Sequence, residues 1–99
     1  MPEAHLEAYA ILAAMGPTYF WFQWQALRGL AGEFGLAPAE ADRALDAMLR
    51  GAAGLMFGSG MSFQEVNDTV PVKPLAASQE GIERIYREKL GALYARLKG

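Results

Sequence analysis

Few side chains in this sequence are equipped for chemistry, and their placement narrows what chemistry is open. His5 is the only histidine. Metal binding or acid–base work would need partners for it at defined spacing, and none is visible, so it reads as a solvent-exposed bystander. No metal ligand and no catalytic residue is assigned. The chain has no cysteine, which removes disulfides, thiolate metal sites and cysteine nucleophiles together. That composition fits a reducing cytoplasm, the expected location. The glycines form neither G-x-G-x-x-G nor G-x-x-x-x-G-K-[ST], so the chain itself is expected to bind no nucleotide cofactor. Its carboxylates stand mostly beside arginines on the outer faces of predicted helices, the pattern of a solvated surface.

Two stretches remain as candidate binding sites. Gly16-Pro17-Thr18-Tyr19 opens a helix, where backbone N–H groups are free and Thr18 adds a hydroxyl. A plain helix start accounts for the same residues. Asn67, Asp68 and Thr69, followed by Lys73, form a polar cluster in a proline-bounded loop, and a simple connector accounts for those equally well. The candidate substrate-binding residues are therefore Gly16, Thr18, Asn67, Asp68, Thr69 and Lys73.

The elements that must position them read as helices throughout. Pro2 to Ala14 carries Leu6, Tyr9, Ala10, Ala13 and Ala14 at helical spacing, with Glu3 and Glu7 near the positive end of the dipole. Gly16-Pro17 forces a break, and a second helix runs from Pro17 to about Phe34. Gly35 is a left-handed stop, and Pro38 restarts the chain for a third helix to about Phe57. Gly29 and Gly32 on the second helix, and Gly51 and Gly54 on the third, predict points where another helix crosses closely. Ser62 with Glu65 predicts a short capped helix to about Asn67, and Asn67 to Leu75 reads as an extended loop. The last helix, about Ser78 to Lys98, has the cleanest apolar stripe, Ile82, Ile85, Tyr86, Leu90, Leu93, Tyr94 and Leu97. The fold class is all-α, four main helices plus a short one.

One of these helices is unlike the rest. Tyr19, Phe20, Trp21, Phe22 and Trp24 place five aromatics in six residues. Adjacent apolar residues cover every face of a helix, and such a helix must be buried all round. A chain of 99 residues can hardly surround it. Apolar residues make up 53% of the sequence, more than one small domain needs for its own core. The aromatic stripe could line a ligand pocket, but interface packing is its commoner use. Tyr19, Phe20, Trp21, Phe22, Trp24, Leu27, Met48 and Leu55 are therefore expected at the interface of a homodimer. Net charge is −2 with pI ≈ 5.3, without a basic stripe, so nucleic acid is not an expected partner. Nor is a membrane: no apolar run approaches the ~20 residues a spanning helix needs. A stand-alone helical module that binds another protein through its aromatic face remains the competing reading.

Several motifs together resemble the helical C-terminal domain of pyrroline-5-carboxylate reductases. Ala14-Met15-Gly16-Pro17-Thr18-Tyr19 before an aromatic helix is similar to that family's "SGSGPAY" start. Gly35-Leu36-Ala37-Pro38 matches its "GLP" restart, Leu49-Arg50-Gly51-Ala52-Ala53 its "LGAA" segment, and Val66-Asn67-Asp68-Thr69-Val70 its "LxDxV". The resemblance spans roughly Ala10 to Val70. It implies a helical dimerisation domain of the 6-phosphogluconate dehydrogenase C-terminal type, intertwined with a second copy. It also implies a parent reductase using NAD(P)H, bound by an N-terminal dinucleotide-binding domain absent from this chain, so that these residues alone are inactive. One departure bears on substrate. Where the family has "SPGGTT", which holds the substrate carboxylate, this chain reads Pro71-Val72-Lys73-Pro74-Leu75. The resemblance then implies a divergent reductase with a different small substrate, for which Lys73 replaces the backbone donors.

Overall fold

A computed structural model of the chain describes residues 5–99. Among them are helices and turns and no strand, so the all-α expectation holds. In order they are α1 (Leu6–Tyr9), continuing into a π-helical turn (Ala10–Ala14), then α2 (Pro17–Glu33), α3 (Pro38–Gly58) and α4 (Phe63–Asp68). A 3-10 turn (Ala76–Ser78) leads into α5 (Gln79–Lys98). These residues divide into two compact units: residues up to Phe20 with Lys73–Gly99, and Trp21–Val72.

In the first unit α1 packs against α5. Among the described residues, the helix predicted over Pro2 to Ala14 is α-helical from Leu6 to Tyr9; Pro2 and Glu3 lie outside them. Beyond Tyr9 it widens, because the Met15 N–H donates at 2.9 Å to Ala10, five residues back, where an α-helix would use the fourth. The widened turn changes which side chains face inward. Ile11, left out of the predicted stripe, is 5% exposed, whereas Leu6, Tyr9, Ala13 and Ala14 are exposed. Tyr19 closes the corner between this turn and α2. Its hydroxyl donates to the Ile11 carbonyl at 2.5 Å. Its ring meets Tyr86 of α5 edge-on, with centroids 5.9 Å apart and planes at 77°, a favoured aromatic arrangement.

The second unit follows its stop and start signals closely. Gly35 has φ +98°, the left-handed value that favours glycine. Leu36 N–H donates to Ala31 and Gly35 N–H to Gly32, both at 3.0 Å, the paired bonds of a Schellman ending. Pro38 opens α3, where Glu40 accepts the Ala37 N–H at 2.9 Å. Ser62 caps α4 reciprocally: its hydroxyl accepts the Glu65 N–H at 3.2 Å while the Glu65 carboxylate accepts the Ser62 N–H at 2.9 Å. The predicted loop is shorter than expected, because α4 takes in Asn67 and Asp68, with Gln64 bonded to Asp68 at 2.9 Å.

What this fold lacks is a core. Ile11 and Ala41, 5% and 3% exposed, are the buried apolar side chains among the described residues. No residue of α2 is buried. Two separately compact halves sharing 10.7 kDa would expose about 6,600 Å². This chain exposes 7972 Å². The close helix crossings expected at Gly29, Gly32, Gly51 and Gly54 are not made within the chain either. Among the described residues, a Cβ at any of the four would meet nothing within 4 Å.

Candidate functional site

The start of α2 is built from its backbone. Gly16 is buried, and a Cβ there would overlap the Leu12 carbonyl oxygen that the widened turn pushes toward it. Two N–H groups expected to be free at this helix start are engaged: Thr18 N–H donates to Met15 and Tyr19 N–H to Gly16, each at 3.0 Å. The Thr18 hydroxyl also donates to the Met15 carbonyl, at 2.6 Å. The first turn of α2 thus folds back on the carbonyls just before it in a 3-10-like pattern, which is why those donors are not free. What Thr18 retains for a ligand is an exposed hydroxyl oxygen with acceptor capacity.

The other candidate cluster sits at the end of α4. Asn67 is half-buried, Asp68 takes the Gln64 amide, and the Thr69 hydroxyl donates to the Val66 carbonyl at 2.7 Å. These three residues belong to the second unit, whereas Gly16, Thr18 and Lys73 belong to the first. Lys73 is half-buried, and its carbonyl accepts the Ala76 N–H at 3.1 Å where the 3-10 turn begins. His5 is exposed, and no group of His, Cys, Asp and Glu among the described residues could hold a metal ion.

The aromatic helix leaves large apolar side chains exposed. Trp21 and Phe22 are 60% and 68% exposed, while Trp24 is half-buried. Phe20, Leu27 and Met48 are exposed as well, and Leu55 is half-buried. Tyr19 is likewise half-buried, sheltered by its own chain against Ile11 and Tyr86. Between α2 and α3 lies an open groove of about 610 Å³, with Trp21, Phe22, Trp24, Leu45 and Leu49 among its lining residues. Arg28 reaches Asp42 across it at 2.8 Å. Both partners are about half exposed, so the pair contributes little to holding the helices.

Sequence reasoning did not single out the two most exposed aromatic side chains among the described residues. Phe34 and Phe57 are 79% and 83% exposed, each next to the glycine at the end of its helix. The signal was present: an aromatic beside a glycine stop stands where its own helix can offer it little cover. The Tyr19–Ile11 bond had no such signal, because nothing in the local pattern marks a π-helical turn.

A family model described as pyrroline-5-carboxylate reductase dimerisation matches residues 3–97 of the chain. No curated protein and no solved structure matches it.

Proposed function

The chain belongs to the pyrroline-5-carboxylate reductase dimerisation family, and from that membership we propose that it forms a homodimer through the open face of α2. A dimerisation domain self-associates, and the carrying observation is the area left uncovered. The chain exposes 7972 Å², against about 6,600 Å² for two compact halves. A surplus of over 1,000 Å² per copy is what an obligate interface covers. Trp21 and Phe22 are the anchors in this reading, with Phe20, Trp24, Leu27, Met48 and Leu55 around them. The open backbones at Gly29, Gly32, Gly51 and Gly54 are where helices of the second copy come close.

The domain further serves as the substrate side of a divergent NAD(P)H-dependent reductase in the cytoplasm. NAD(P)H supplies hydride there, and a separate dinucleotide-binding domain holds it. The chain alone is then without activity. Gly16, Thr18 and Lys73 are the substrate-side candidates of the first unit, and Asn67, Asp68 and Thr69 those of the second, with the Lys73 ammonium meeting an anionic group in place of the family's glycine-rich loop. In a reductase carrying this domain, Lys73→Ala raises KM severalfold or more; an unchanged KM removes Lys73 from the site.

Sedimentation equilibrium tests the first part directly. The expected result is a dimer with no detectable monomer at micromolar concentration. A monomer at 100 µM overturns the reading.

A further inference from the structure

The corner between α1 and α2 has an unusual accounting of carbonyls. In a continuous α-helix the Ile11 carbonyl would receive the Met15 N–H. Here that donor is diverted to Ala10 at 2.9 Å, so the carbonyl of the buried Ile11 loses it. The Tyr19 hydroxyl supplies the missing donor at 2.5 Å from eight residues away. The same turn brings the Leu12 carbonyl over Gly16, where only glycine fits, and leaves the Met15 carbonyl to Thr18.

We propose that Tyr19 is the positioning residue of this corner: its hydroxyl, rather than its ring, holds the π-helical turn in register and so sets how Gly16, Pro17 and Thr18 are presented. Without that donor, the Met15 N–H returns to the Ile11 carbonyl and the turn tightens to α-helix. One residue of register is a rotation of about 100°, which carries the Gly16–Thr18 edge to a different face. The tyrosine ring remains on Tyr86 in either case, so packing against α5 and register of the turn are separable.

The test is Tyr19→Phe in the full chain, which keeps the ring and deletes the hydroxyl. NMR reads the register directly through the coupling across the hydrogen bond between the Met15 nitrogen and the Ala10 carbonyl carbon. That coupling is expected in the wild type and lost in Tyr19→Phe, with overall helicity and the protection of α3 amides unchanged. Its persistence in the variant overturns the proposal. Should Tyr19→Phe fail to fold, the wild type still decides. The Tyr19 hydroxyl proton must be protected from solvent exchange with a close contact to Ile11, and a freely exchanging hydroxyl overturns the assignment. None of these readouts depends on assembly, so a monomeric chain would sink the dimer reading and leave this one standing.

Discussion

The corner around Tyr19 and the ridge that begins at Trp21 are neighbours on one helix, yet they solve opposite problems. At the corner the polar groups find partners in the same chain: Met15 with Ala10, Tyr19 with Ile11, Thr18 with Met15. On the ridge Trp21 and Phe22 have no comparable cover, and the glycines further along α2 face open space. Satisfied hydrogen bonds with small buried area mark a locally determined structure. Large apolar area with no cover marks a surface whose stability comes from association. The two regions should therefore respond to mutation in different measurements.

The largest expected effect is on the ridge. Trp21→Asp places a carboxylate at the centre of the proposed interface, where its desolvation is uncompensated. The dimer dissociation constant is expected to rise at least a hundredfold, about 3 kcal/mol, measured by sedimentation. The Met15–Ala10 hydrogen bond should persist in the same variant. A dimer of wild-type affinity would place Trp21 outside the interface and erase the contrast.

Next comes the corner. Gly16→Ala forces a Cβ onto the Leu12 carbonyl, and that neighbour is backbone, so the turn itself must move. A cost of about 2–3 kcal/mol is expected, read as a lower denaturation midpoint. It should appear at every protein concentration, because the clash lies within one chain. A loss that vanishes at high concentration would mean that the corner, too, depends on assembly.

How legible this was depends on which kind of signal each region uses. The ends of the helices were readable because glycine, proline and capping residues act within a few positions: Gly35 stops α2, Pro38 opens α3, and Ser62 with Glu65 starts α4. The exposed aromatic ridge was readable for a related reason, since no 99-residue chain can surround five adjoining aromatics. The inward turn of Ile11 was not, because a periodicity of 3.6 misassigns faces wherever a π-helical turn adds a residue. Of the candidate site, sequence placed the two clusters but missed how they are satisfied. The engagement of Thr18 and Tyr19 N–H groups depends on the path the chain takes before Pro17.

A smaller effect, but one whose sign is diagnostic, lies at Gly32. In an isolated helix Gly32→Ala gains about 1 kcal/mol of helix propensity, and nothing within the chain opposes it, since the space above Gly32 is open within 4 Å. If a helix of the second copy crosses there, the added methyl separates the two backbones and offsets that gain. The expected outcome is a net weaker dimer, with a dissociation constant raised several-fold despite higher helicity under dissociating conditions. Tighter association would move the crossing point away from Gly32.

The smallest effect separates the ridge from the ion pair beside it. Arg28 and Asp42 meet at 2.8 Å, but both are about half exposed, and water and salt screen such pairs. Arg28→Ala is expected to cost about 0.5 kcal/mol or less, and the difference from wild type should disappear in 1 M salt. The same salt should leave the dissociation constant of the dimer unchanged or lower it, because apolar burial is not screened and excluded salts favour it. A dimer that dissociates in salt, with Arg28→Ala as damaging as Trp21→Asp, would mean that charge rather than the aromatic ridge joins the two copies. The groove between α2 and α3 would then be held by its polar rim, and the uncovered tryptophan would need another explanation.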